Sequence, residues 1–405
     1  MIISLAPILV VVFSLHGYVG AVCKVSLNNN LPTKEPLYLT HKGSKLDFVY
    51  PKSAKGASKR DKGSFELSEN EELVFACPGK ANKLARTTEN AADSHCVSGT
   101  RFSLGAKKTS NIEQIECTSS VKATLELDSG KKCAKTGTQM KIGFEVERQL
   151  LPLMWVCHDI KAADTIFVEH DIPATIGGAR IFKARPDFED GPSHLYEGIN
   201  VKNVYTQKYQ RGLFNQLLGK GQGEKFIKGT YYLARGHLAP DGDFLYGSWQ
   251  WSTYFYVNTA PQWQIINAGH WLALERYLRK FAEQTGEDLH IMTGIVGVLS
   301  FESDSGENVE IYLQPDEQKI RVPAAFFKVI RSEVSDRAIV AVCSNNPFEK
   351  VPTLCQDIAA EHRWPTSWHD HAKGHIYFCE VNDFLSNASG LPIRRNSGIL
   401  RGIGK

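Results

Sequence analysis

The stretch Leu233-Ala234-Arg235-Gly236-His237-Leu238-Ala239-Pro240 decides how this chain is read. Tyr231-Tyr232-Leu233 favours a strand, so His237 is expected at a strand end, where its side chain can point into a cleft. Asn258-Thr259-Ala260-Pro261-Gln262 then breaks a second strand and leads toward a helix. That helix is expected from Asn267 to Ala282, because Trp271, Leu274, Leu278 and Phe281 recur at three- and four-residue steps.

The residues set on this frame have a common chemistry. An ordinary imidazole, with a pKa of about 6.5, can take a proton from water near neutral pH. Standing alone, a histidine after a strand is more often structural. Glu275 and Arg279 lie four apart and share a helix face, where a plain i,i+4 ion pair is the simpler reading. Asn267 lies two turns before Glu275 on the same half of the helix. Its amide oxygen is a legitimate ligand for Mg²⁺, which keeps several waters and takes few protein ligands when phosphate completes its shell. Together, an imidazole, an amide oxygen, a carboxylate and a guanidinium are the groups needed to cut a phosphodiester with one bound Mg²⁺.

In type, order and spacing, Arg235-Gly236-His237, Asn267, Glu275 and Arg279 resemble the signature of the DNA/RNA non-specific endonucleases, the ββα-metal nucleases. Further local matches follow in the same order. Val257-Asn258-Thr259-Ala260-Pro261-Gln262 resembles the family's Asn-x-x-Pro-Gln segment, and Thr293-Gly294 its Thr-Gly strand end. Val322-Pro323-Ala324-Ala325-Phe326-Phe327-Lys328 resembles its Pro-x-x-aromatic-x-Lys strand. The resemblance covers about residues 145 to 395. One position departs: Ala234 stands where the family usually has an Asp that supports the metal's water shell, so the composition of that shell stays open. Secreted invertebrate nucleases, including digestive enzymes that degrade double-stranded RNA, carry an Ala-Arg-Gly-His version, and this chain most resembles that branch.

The resemblance implies an α+β nuclease domain with a central antiparallel sheet flanked by helices. It also implies a role for each matching residue. His237 would be the general base and Asn267 the ligand of a single Mg²⁺, with Mn²⁺ as a substitute. Glu275 would orient metal-bound water, and Arg279 and Arg180 would neutralise the phosphate. Arg235 would support the site by pairing within it, and Asn258 would brace the cleft and contact substrate. The partner would be RNA or DNA, double-stranded RNA included, held through its phosphate backbone and left with 5′-phosphates. Two other functions remain open at this stage: a turnover-deficient nucleic-acid-binding relative, and a phosphodiesterase acting on small nucleotides.

The rest of the chain sets the context. Its 405 residues accommodate one domain or, more often, two. Lys and Arg number 47 against 44 Asp and Glu, a net charge of +3, so a phosphate-binding surface has to be a local patch. Ile2 to Leu15 is almost wholly apolar, yet shorter than the roughly 20 residues a membrane span needs. With Val19-Gly20-Ala21 it reads as a signal peptide over residues 1–21, which implies secretion, and nothing later reads as a membrane segment. Residues 22–142, with short alternating runs and five of the nine cysteines, read as a small β-rich domain, and residues 143–405 as the nuclease domain.

In an oxidising compartment most cysteines should pair, and sequence proximity suggests Cys77 with Cys96, Cys117 with Cys133 and Cys343 with Cys355, with one thiol left over. Asn387-Ala388-Ser389 is a glycosylation sequon. Lys52, Lys55, Lys59, Arg60 and Lys62 form a basic loop, either a polyanion contact or a solvated segment. His369, His371 and His375 read as surface residues or as a second metal site. Trp249, Trp251 and Trp263 read as core residues or base-stacking platforms.

Overall fold

Eight antiparallel strands form the central sheet, and each pairs with its neighbours in chain order: Thr124–Cys133, Gly137–Val146, Gln149–Asp159, Asp164–Ile172, Leu289–Val296, Ala325–Ser332, Ala338–Ser344 and Ile376–Cys379. The computed structural model describes residues 22–52, 62–104, 108–181, 184–395 and 398–404. The expected signal peptide and Lys55, Lys59 and Arg60 of the basic loop lie outside these. Lys62 forms an ion pair with Glu283. No helix of the described residues is long and apolar enough to cross a membrane.

Alternation along the inner strands sorts their side chains between the two faces of the sheet. Ile291, Phe326, Ile330, Ile339 and Ala341 pack with Leu274, Leu278 and Phe281 of the helix Leu272–Thr285 and with Trp271 just before it. Met292, Phe327, Val329, Val340 and Val342 pack with Val381 and Phe384 of the helix Val381–Asn387. Because both faces are covered, Ala338–Ser344 is buried at every position and reads as an unbroken apolar run. This is the α+β arrangement the sequence led us to expect. The chain between Ile172 and Leu289 leaves the sheet and returns to it, and it carries the candidate site residues.

Upstream, a second antiparallel sheet runs in the order Lys45–Phe48, Leu37–Lys42, Glu72–Ala76, Ala91–Ser98, Arg101–Leu104, Lys108–Asn111, beside the pair Val22–Ser26 and Ser64–Ser68. The expected boundary at 142/143 falls inside the strand Gly137–Val146, and the central sheet begins at Thr124. The composition changes only at 143 because the first strand of the sheet is paired on one side alone and keeps polar residues.

The two sheets share one core. Tyr38 stacks on Tyr246 with ring centres 5.5 Å apart, and Phe48 lies 4.5 Å from Trp249. Glu35, buried, accepts from the Ser248 amide at 2.7 Å and ion-pairs with Arg180.

The cysteine pairing differs from the one sequence proximity suggested. The disulfides are Cys23–Cys96, Cys77–Cys117, Cys133–Cys157 and Cys355–Cys379, and Cys343 is a buried free thiol. The pairs that meet are set by which strands and loops the fold brings together, not by nearness in sequence. Cys133 and Cys157 sit on strands separated by a third, and their bridge crosses it at Gly137, where a Cβ would come within 2.4 Å of Cys157 Sγ.

Candidate functional site

The strand Leu233–His237 pairs antiparallel with Thr259–Trp263, with His237 opposite Thr259 and Gly236 opposite Ala260. Alternation sends Arg235 and His237 to one face and Gly236 to the other. A Cβ on Gly236 would stand 2.6 Å from Gln262 Cβ, so only glycine fits between them. The chain then runs through Gln264–Ile266 into the helix Leu272–Thr285. The expected continuous helix is interrupted: Asn267–Trp271 is a π-helical turn with Gly269 at non-helical angles. Gly269 abuts the loop at 373, where a Cβ would come 2.5 Å from the Lys373 carbonyl oxygen, and His270 Nδ1 lies 2.8 Å from Gly374 O.

The strand Leu233–His237, the segment 185–188 and this helix with its preceding turn line a cleft of about 600 Å³. It brings together Ala234, Arg235, His237, Asn267 and Glu275, with Arg185, Lys202 and Asp241 at its walls. Five aromatic rings also line it: Phe188, Tyr205, Tyr232, Tyr254 and Tyr256. A slightly larger cavity of about 670 Å³, with Tyr50, Trp155, Trp249 and His290 in its wall, contains none of the expected site residues. Volume alone therefore does not locate the chemistry.

His237 packs against Phe188 and Tyr254, with ring centres 5.2 and 5.0 Å away. Burial pushes its imidazole down to about 4, against the pull of the Asp241 carboxylate. It is therefore neutral and able to accept a proton at physiological pH. Its Nε2 is buried with no hydrogen-bond partner among the described residues, a vacancy that water or substrate would satisfy. Asn267 Nδ2 donates to Gln264 Oε1 at 3.2 Å, which fixes the amide and leaves Oδ1 as the available acceptor. Glu275 is nearly fully buried, and that burial pushes its carboxyl up to about 7, against the opposing charge of Lys328. An amide oxygen with the Glu275 and Asp241 carboxylates is a hard oxygen donor set that suits Mg²⁺.

Of the three expected arginines, Arg235 stands in the cleft and Arg279 and Arg180 do not line it. Arg235 is boxed by aromatic rings, its guanidinium carbon 5.3 Å from the Phe188 centre and 5.5 Å from Tyr205 and Tyr256. Arg279 does not line the cleft. It donates to Asp243 Oδ1 at 2.7 Å, and Asp243 also pairs with buried His170 at 2.9 Å. Burial alone would raise Asp243, but the His170 hydrogen bond and the Arg279 charge hold it below its ordinary value. Arg180 also lies outside the cleft lining, because its guanidinium is held by Glu35 and by the Pro32 carbonyl at 2.9 Å. Arg185 stands in the cleft instead.

Asn258 is buried and does not line the cleft. It accepts from the Ala239 amide at 2.9 Å and donates to the Ala239 and Thr253 carbonyls, each at 2.8 Å. With its polar atoms spent on backbone, it braces the turn that follows His237.

Lys328, the lysine of the matching Pro-x-x-aromatic-x-Lys strand, was given no role by the sequence. It is fully buried and donates to Thr293 Oγ1 at 2.7 Å and to the Leu238 carbonyl at 3.3 Å. Of the two cations that act on Glu275, Lys328 and Arg279, it has the larger effect. The available signal was a lysine inside the apolar run Ala325–Ile330. Trp249 and Trp263 are core residues, and Trp251 is tied to the Ala184 carbonyl, so the cleft rings are tyrosines and a phenylalanine.

Comparison with known proteins places these features in context. The family described as DNA/RNA non-specific endonuclease matches residues 135–384. A salivary endonuclease of Lutzomyia longipalpis is 30% identical over 345 residues, 84% of this chain and 76% of that protein. A salivary endonuclease of Culex quinquefasciatus is 27% identical over 298 residues, 70% of this chain and 74% of that protein. Salivary protein Tsal2A of Glossina morsitans morsitans is 22% identical over 392 residues, 95% of this chain and 96% of that protein, so the similarity extends through the first sheet.

Proposed function

The chain belongs to the DNA/RNA non-specific endonuclease family and is a nuclease, and from that premise we propose that it is a secreted, Mg²⁺-dependent endonuclease. In this reading it cuts RNA and DNA, double-stranded RNA included, and leaves 5′-phosphates. The observation that carries the reading is the convergence of His237, Asn267 and Glu275 on one cleft, with His237 Nε2 unsatisfied.

His237 accepts a proton from a water placed between its Nε2 and the phosphorus. The resulting hydroxide attacks in line, the bond to the 3′ oxygen breaks, and that oxygen is protonated from solvent. Asn267 Oδ1 would hold the metal, with Glu275 ordering the water around it. A metal held there would supply positive charge that offsets the negative charge developing on the phosphate. Arg185, Lys202 and the edge of Arg235 face the phosphate chain, and the partly exposed rings of Phe188 and Tyr232 offer stacking surfaces to flanking bases. Four disulfides fit an oxidising compartment, and relatives named as salivary proteins fit secretion.

The test is to incubate the purified protein with plasmid DNA, single-stranded RNA and double-stranded RNA, in Mg²⁺ or in EDTA. Linear and short fragments are expected in Mg²⁺ only, and His237→Ala should slow cleavage by about 10²–10⁴-fold. Equal degradation in EDTA, or near-normal cleavage by His237→Ala, would defeat the mechanism. Intact plasmid with retained binding would favour the turnover-deficient reading.

A further inference from the structure

On the first sheet, away from the cleft, His41, Glu72 and Asp93 bring one ligating atom each within 4.8 Å of one another. We propose that these three residues form a second metal site, which takes Zn²⁺ or a similar borderline transition ion with one position left to solvent.

The sheet register builds the cluster. Leu39 lies opposite Val74, so two residues further on His41 comes level with Glu72. Glu72 lies opposite His95, and Val74 opposite Asp93. Residues directly opposite, or two apart on one strand, share a face, so three neighbouring strands direct His41, Glu72, Asp93 and His95 to the same side. Ser94 and Cys96, between and beyond them, point into the core, and Cys96 is bonded to Cys23. The donors therefore stand on a rigid, cross-linked backbone.

The distances and donor types fit a transition ion. Two ligands on one tetrahedral Zn²⁺ lie about 3.3 Å apart, given bonds near 2.0–2.1 Å. His41 Nε2 and Asp93 Oδ1 already stand 3.2 Å apart. Glu72, whose ligating oxygen lies within 4.8 Å of both, supplies the third donor. An imidazole with two carboxylates suits Zn²⁺ better than Mg²⁺, which prefers oxygen alone. Even with a protonated imidazole the trio keeps a net negative charge. The simpler alternative is an exposed His41–Asp93 ion pair with Glu72 as a bystander, which would show no metal selectivity.

A rival for any bound zinc is the pair His369 and His375, whose ring nitrogens are 3.1 Å apart. The experiment separates the two. Full-length protein in saturating Mg²⁺ is titrated with Zn²⁺ by calorimetry and with Co²⁺ by visible absorption. The proteins compared are wild type, His41→Ala, Asp93→Asn and the double variant His369→Ala/His375→Ala. One ion per chain is expected to be lost, or bound at least tenfold more weakly, in His41→Ala and Asp93→Asn, and retained in the double variant. Zn²⁺ should raise the Tm of wild type but not of His41→Ala, and nuclease activity in Mg²⁺ should be the same in all four. Binding unchanged in His41→Ala, binding lost only in the double variant, or no Zn²⁺ bound by wild type would each overturn the proposal.

Discussion

Burial pushes Glu275 up to about 7 and His237 down to about 4, so their order of titration is reversed from that of the free side chains. The loss of activity on acidification is therefore expected from Glu275. As pH falls through about 7 its carboxylate protonates, while His237 stays neutral until about 4. Higher Mg²⁺ favours the ionised carboxylate and should move the acid limb of kcat/KM to lower pH. Lys328→Met removes a cation facing Glu275 and should move that limb upward. It should also destabilise the fold, since breaking a buried charge pair costs about 3–5 kcal/mol. A limb near pH 4 that ignores both changes would return the titration to His237. The type and spacing of His237, Asn267 and Glu275 were legible in the sequence. That Lys328 faces Glu275 was not, because the two lie on a strand and a helix far apart in the chain.

The helix was legible from its apolar repeat, but the π-helical turn that precedes it was not. At that turn Gly269 lies so close to the Lys373 carbonyl, from a segment about a hundred residues downstream, that a Cβ would come 2.5 Å from its oxygen. Gly269→Ala should force the two apart and move Asn267. The expected result is a higher Mg²⁺ requirement and reduced kcat, with little change in Tm beyond that of a local shift. An unchanged Mg²⁺ dependence would mean that Asn267 is not placed by the turn. Between strands Asp164–Ile172 and Leu289–Val296, His290 lies 2.8 Å from Asp171 and 3.6 Å from Glu169, and these bonds push it up to about 10. The raised value means that its contribution is fully present below about pH 6.5 and lost as pH rises toward 10. The stability difference between wild type and His290→Gln should therefore shrink across that range, as measured by denaturant titration. A constant difference would show that the ion pairs carry none of it.

Across the whole molecule, the buried Glu35–Arg180 pair joins the first sheet to the chain that carries the site. Arg180→Met should lower Tm, with an uncompensated Glu35 costing about 3–5 kcal/mol. The folded fraction should cleave at nearly the wild-type rate. A large loss of kcat at full folding would restore Arg180 to phosphate chemistry. By itself the sequence determined the order of chemical groups, the strand–break–helix frame and the β-rich leading region, because each is written in local periodicity and short spacings. Tertiary structure alone decided the disulfide pairing, the start of the central sheet at Thr124 and the diversion of Arg180 and Arg279 from the cleft. Each of these depends on which distant strands or charges meet, and a buried arginine pairs with the nearest buried carboxylate whatever its place in the motif.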